Sequence, residues 1–440
     1  MPRTKIVLRE TLAYCASLGR RIISPTTPRR ERFIRTSIFA FATDLHDEGV
    51  GAVLDTVGDR GGVGGVTMAS SYHHGRDIFP HNPARKVHFL EGGAVFFRPE
   101  LAGFTGRMQP HISQLAQEHD VFADARKETD RRSMELHAWT VFLHNTTLGS
   151  RYPDCAVRNA FDDVIVTDLC PANPEVQRYA VSLATDIMRY RPDGVLAESL
   201  HYHPLEHGFH HERYFIDLGA TSRFLLGLCF CEHCLARARE RGVDGEAVRS
   251  AALTRIQDAF DQTPPDEGVS DVARDDMWAL FDGGLGEYLD MRADVVSTLT
   301  ADITEAVVSR GGRFTFMDLS GAVKGYATGQ PEGDPAPSIA WKLGVDIRRL
   351  AKACSAIQAI GYAYEPDRLR VDLSAYLGLI DGNADFSVAL RPMAPDCDSV
   401  ENLAAKLALS RALGVIRADF YHYGFMRLST LDRIKAALVC

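Results

Sequence analysis

The sequence contains no apolar run long enough to cross a bilayer, which takes about 20 residues in a helix. Ile6 to Gly19 is its most apolar early stretch, but Arg9 and Glu10 interrupt it. It therefore fails as a secretory signal core and reads as a first amphipathic helix. With neither signal nor span, a cytoplasmic location is the default expectation. Basic charge is also scarce: 49 Lys and Arg stand against 58 Asp and Glu, a formal net charge of -9. Nucleic acid and anionic membranes both reward a basic face, so neither is expected as a partner. The short cluster Arg29-Arg30-Glu31-Arg32 reads as solvated surface. A Gly-rich phosphate turn after the first strand pattern is missing, as are an internal repeat and the H-E-x-x-H signature of zinc proteases. Nine cysteines, an odd number with three of them inside six positions, fit metal ligation plus free thiols better than a disulfide framework.

What is present is alternation. Short apolar β-type runs separated by helical patterns occur at Phe33 to Ala42, Val63 to Ser70, Glu135 to His144, Val195 to Ala197, Arg313 to Met317, Ala356 to Ala363, Phe386 to Leu390 and Val415 to Tyr421. Eight strands alternating with helices predict an α/β protein, a (β/α)8 TIM barrel with long βα loops, with a doubly wound open sheet as the alternative. Residues 1–32 read as a helical extension and 33–440 as the barrel. The barrel would carry a Cys-rich loop over 170–234 and a helical insertion over 235–309. Ala94 to Phe97 reads as part of a hairpin inside a long loop.

In such a barrel the chemistry sits at the C-terminal ends of the strands. Those ends offer Asp44; Tyr72, His73, His74 and Arg76; His144 and Asn145, with Trp139 inside the third strand; Glu198 and His201; Asp318; Glu365; Arg391; and Tyr421. Aromatics that stack on sugar faces, polar groups that bind hydroxyls and several carboxylates suit a small neutral carbohydrate. Two carboxylates flanking a glycosidic bond cleave it by acid–base or nucleophilic chemistry. Glu198 is the first candidate, with Glu365 and Asp318 as its possible partners. His201, His203, His207, His210 and His211 follow in one loop. They bind hydroxyls, with His201 and His211 as the candidates, or they assemble a second metal site. Cys229, Cys231 and Cys234, in C-x-C-x2-C spacing, supply three of the four ligands that a structural Zn2+ needs. The fourth is His233 or a distant cysteine.

Cys170-Pro171-Ala172-Asn173-Pro174, followed by Cys229-Phe230-Cys231-Glu232-His233-Cys234, resembles glycoside hydrolase family 42, the β-galactosidase barrels in which two such segments hold a structural zinc. The pattern from Phe33 to Gly424 is most similar to the poorly characterised glycosidase-like barrels related to that family. The resemblance implies a zinc held by Cys170, Cys229, Cys231 and Cys234. It also implies a glycosidase whose acid/base is Glu198. The chain departs from the family twice. Glu198 follows Ala197 where the family has Asn, and the end of the seventh strand reads Ala389-Leu390-Arg391-Pro392 where the family places its nucleophilic Glu. A metal-dependent hydrolase or lyase and a non-catalytic carbohydrate-binding barrel are the alternatives. Homo-oligomerisation is left open.

Overall fold

A computed structural model describes residues 34–205, 213–262, 273–324 and 326–440. The expected N-terminal extension, and His207, His210 and His211, lie outside them. Eight parallel strands form a closed barrel: β1 (Arg35–Ala40), β2 (Gly65–Tyr72), β3 (Glu135–Val141), β4 (Gly194–Glu198), β5 (Arg313–Asp318), β6 (Ala356–Ile360), β7 (Asp385–Leu390) and β8 (Arg417–Phe420). Closure is visible at Ile38, which pairs with Val66 of β2 on one side and with Phe420 of β8 on the other. The strands are those expected, with ends shifted by a few residues. Parallel strands are covered on both faces, so their sequences are apolar with little alternation. All eight residues of β2 are buried, for example.

The helices outside carry clear start and stop signals. Asn173 accepts a hydrogen bond from the backbone N–H of Glu175 ahead of Pro174–Ile187, with Pro174 at the first helical position. Ser399 caps Val400–Leu413, which ends at Gly414 in the left-handed region (φ 85°). The segment between β4 and β5 holds the helices Gly219–Leu226, Glu232–Glu240, Gly245–Asp261, Arg274–Ala279 and Gly284–Val308. Among the described residues no helix is long and apolar enough to cross a membrane.

The barrel interior is packed in two zones. In the N-terminal half, Thr67, His137, Thr315, Gln358 and Arg417 surround a small polar cavity. There Arg417 donates to Asp419 at 2.7 Å and to Glu135 at 2.5 Å, and Gln358 donates to Asp419 at 2.6 Å. Arginine and carboxylates neutralise one another, which is how such a group tolerates burial. Above this layer the filling is aromatic. The Trp139 ring lies 5.0 Å from Phe39, 4.6 Å from Tyr72 and 6.0 Å from Tyr421, all edge-on. This aromatic layer is the floor of the C-terminal face.

Two long loops extend that face. After β2, a hairpin pairs Gly75–Ile78 with Val87–Leu90. Ala94–Val95 then returns antiparallel to Ser71 and Tyr72, so it prolongs β2 rather than forming a separate hairpin. After β3, Ala156–Arg158 pairs with Val164–Leu169.

Candidate active site and thiolate cluster

Glu198 ends β4 with the same inward parity as Leu196, which lines the interior cavity. Its Oε2 accepts the indole N–H of Trp139 at 2.5 Å. Burial pushes its pKa up to about 7, against the opposing pull of that hydrogen bond and of His144. Tyr72, Tyr421 and Tyr362 feel the Glu198 charge and form the surrounding wall. The Tyr362 ring lies tilted 5.8 Å from that of Tyr421 and under Arg391, whose guanidinium carbon is 4.7 Å from the ring centre.

A second carboxyl belongs to this pocket, and sequence reasoning missed it. Asp77 sits on the hairpin after β2, and both Tyr72 and Tyr421 feel its charge as they feel that of Glu198. Its Oδ2 is buried without a hydrogen-bond partner, and burial raises its pKa to about 6. The alternation of the hairpin explains the orientation: Gly75 and Asp77 are half-buried, while Arg76 and Ile78 are exposed. The signal available in the sequence was only the alternation in Gly75-Arg76-Asp77-Ile78.

The other expected carboxylates stand elsewhere. Asp318 has the opposite parity to Arg313 and Thr315, which line the interior cavity. It faces the outer helices, where it accepts the Tyr376 hydroxyl of Pro366–Ile380 and the Ser320 hydroxyl at 2.9 Å. Glu365 is exposed at the start of Pro366–Ile380, and the residue that reaches the pocket from β6 is Tyr362. Asp44 is fully buried beneath the turn at Tyr423–Phe425, accepting from the Phe41 N–H at 2.8 Å, and burial raises it to about 7.

Several expected sugar-binding residues have structural duties. Asn145 caps Thr146–Arg151 through the Leu148 N–H at 2.9 Å and donates to the Gly93 carbonyl at 3.2 Å. Gly93, at φ 69°, approaches so closely that a Cβ there would lie 2.0 Å from Asn145 Oδ1. Arg391 is held by two 2.7 Å bonds to Asp396. Arg76 points to solvent, and the His74 ring packs against Gly92. Four histidines are brought into one row instead. Ring centres are 4.9 Å apart for His73 and His144, 5.3 Å for His144 and His203, and 4.7 Å for His203 and His201. Asp168, also unforeseen, lies at the centre, 3.1 Å from His144 Nδ1 and 2.9 Å from His203 Nδ1. Burial opposes its ionisation, but those two histidines outweigh it and hold its carboxyl well below the usual range. Burial and the neighbouring His144 drive His73 down to about 3.

Behind this row the sulfurs of Cys170, Cys229, Cys231 and Cys234 converge, all buried. Cys170 Sγ lies 3.5 Å from Cys231, 3.5 Å from Cys234 and 3.7 Å from Cys229. These spacings are far longer than a disulfide bond of about 2.05 Å. They suit four sulfurs about 2.3 Å from one tetrahedral ion, which puts neighbouring sulfurs about 3.8 Å apart. His233 stands aside, 3.8 Å from Glu232. The Arg158 N–H donates to Cys229 Sγ at 3.4 Å, and the Tyr202 hydroxyl is 3.4 Å from Cys234 Sγ. The fully buried Arg292 lies 4.3 Å over the Tyr202 ring, supplying positive charge beside the sulfurs.

No protein-family model matches the chain, and no curated protein matches it in sequence. Solved structures match in fold. The α-L-fucosidase isoenzyme 2 from Paenibacillus thiaminolyticus is 13% identical with a TM-score of 0.51, covering 93% of this chain and 49% of its own. The catalytic domain of β-amylase from Paenibacillus polymyxa is 10% identical with a TM-score of 0.50, covering 92% and 98%. The β-galactosidase from the psychrophilic Marinomonas ef1 is 11% identical with a TM-score of 0.50, covering 92% and 58%. The chain thus spans about half the length of the fucosidase it matches. At these identities the likeness is one of architecture, a closed (β/α)8 barrel.

Proposed function

We propose that this barrel is a glycoside hydrolase with Glu198 as its general acid. The observation that carries the reading is the environment of Glu198. A carboxyl at the end of β4, raised to about 7 by burial and ringed by tyrosines, keeps a large protonated fraction at neutral pH and can give that proton to a leaving oxygen. The three matched structures, named as enzymes of carbohydrate cleavage, support the class. The aromatic wall of Tyr72, Tyr362 and Tyr421 suits the apolar face of a sugar ring.

Asp77 takes the second role, in place of Glu365 and Asp318. Burial alone accounts for its raised pKa, and Glu198 responds to Trp139 and His144 but not to Asp77. Two carboxyls in contact would shift one another, so these two are not in direct contact. A base role for Asp77 corresponds to the inverting mechanism, in which one carboxylate activates a water. Asp77 takes a proton from the water as its oxygen bonds the anomeric carbon. Glu198 protonates the glycosidic oxygen as the C–O bond breaks. His73, kept neutral, and His201 remain as hydroxyl-binding groups. Zn2+ on Cys170, Cys229, Cys231 and Cys234 would be a closed structural cross-link with no open position, which favours the family 42-like reading.

The test is hydrolysis of a panel of aryl glycosides by the wild type, Glu198→Gln and Asp77→Asn, with the product anomer followed by NMR. Loss of activity by orders of magnitude in both variants, with an inverted product, supports the assignment. Activity that survives Glu198→Gln overturns it. Sugar binding without turnover in the wild type indicates a carbohydrate-binding barrel instead.

A further inference from the structure

We propose that His144, Asp168 and His203 bind a divalent first-row transition-metal ion, in a site separate from the four sulfurs. The three residues come from three segments: the exit of β3, the end of Val164–Leu169, and the loop after β4. A backbone bridge between His144 and Asp168 fixes the first two to each other. All three are buried, and their ligand atoms lie within 4.8 Å of one another.

Spacing and chemistry both suit an ion. Ligand atoms about 2.1 Å from an octahedral centre are about 3.0 Å apart when adjacent. The Asp168 oxygen lies 3.1 Å and 2.9 Å from the two imidazole nitrogens. Two imidazoles and one carboxylate on one face form the donor set that holds iron, manganese or zinc while leaving positions for water or substrate. The other Asp168 oxygen accepts the Thr167 hydroxyl at 2.7 Å, the outer-shell bond that orients a ligating carboxylate. His73 stands beside the triad, its ring centre 4.9 Å from that of His144. The Nδ1 of His73 must donate to the His74 carbonyl at 2.7 Å, which leaves its Nε2 as a lone-pair donor next to His144.

The sulfur cluster prepares this second site. Asp168 stands two residues before Cys170, and His203 follows Tyr202, whose hydroxyl meets Cys234 Sγ at 3.4 Å. Both ligand-bearing segments are therefore tethered to the same four sulfurs, and the triad is held before any ion arrives. This inference does not depend on the glycosidase reading, since it concerns metal occupancy alone.

The experiment is to equilibrate the purified full chain with Co2+, remove excess by gel filtration, and count total transition metal per chain by mass spectrometry. Wild type, His203→Ala, Asp168→Asn and Cys231→Ser are compared. The inference expects two ions in the wild type, one of them with weak visible bands of nitrogen and oxygen ligation. It expects that ion to be lost in His203→Ala and Asp168→Asn, with the sulfur-bound ion kept in both. A single ion in the wild type that His203→Ala retains overturns it, as do two ions retained in both His203→Ala and Asp168→Asn. A single ion lost in His203→Ala but kept in Cys231→Ser supports it and removes the structural zinc instead. The wild-type count holds whether or not a variant folds.

Discussion

Trp139 and Glu198 face each other across adjacent strands, with the indole N–H donating to the carboxyl at 2.5 Å. The bond favours the ionised carboxyl, while burial of the pair favours the neutral one, and burial is the larger effect. Replacing Trp139 with Phe removes the donor and leaves the burial. Glu198 should then titrate above its present value of about 7. A 13C NMR titration of labelled glutamate checks this, and a downward shift would contradict the account.

The two pocket carboxyls define a pH window. With Asp77 near 6 and Glu198 near 7, the state with the base ionised and the acid protonated is most populated between those values. A bell-shaped profile of kcat/KM with its maximum there is expected. Stability carries a matching sign. The Glu198 pKa rises from 4.5 to about 7 on folding, so its favourable contribution is complete below 4.5 and lost as pH climbs through 7. Tm of Glu198→Gln should gain on the wild type over that interval.

The sulfur cluster should matter to folding out of proportion to its size. Structural zinc contributes about 10 kcal/mol or more in zinc-finger peptides, whereas truncating one core side chain costs about 2–5 kcal/mol. Cys231→Ser is expected to lose one metal per chain and much of the cooperative unfolding transition. Cys354→Ser is the control. Cys354 is buried away from the cluster and donates to the Ala356 carbonyl. Calorimetry and metal analysis together decide it.

Removing Asp419 strands Arg417 inside the barrel with Glu135 as its remaining carboxylate partner. Breaking a buried pair on one side costs about 3–5 kcal/mol, so Asp419→Ala should lower the denaturation midpoint strongly. Asp318→Asn weakens the bond to Tyr376 outside the barrel. It should cost about 1–3 kcal/mol without changing kcat, and the exposed Glu365→Gln should change neither.

The fold was legible because buried parallel strands must be apolar on both faces. Short runs such as Gly194–Glu198 and Asp385–Leu390 therefore stand out between amphipathic helices. The cysteine spacing was legible because three thiols in one turn-rich segment have few other uses. Glu198 followed from its place at a strand end. Asp318 occupies the equivalent place on β5 yet faces the helices, because one step along a strand reverses the side chain. That parity acquires a direction only when the barrel closes and its interior is defined.

The sequence by itself determined the eight strands, three clustered thiols and one carboxyl at a strand end, with Cys170 added by the family resemblance. Only the tertiary structure decided which polar groups meet. Asp77 enters the pocket because a hairpin folds over β2, and Asp168 meets His203 because two loops from neighbouring strands converge. Local patterns follow from burial along a strand or helix, which each short segment carries in itself. Contacts between distant loops depend on closure of the whole barrel, and no single segment encodes them.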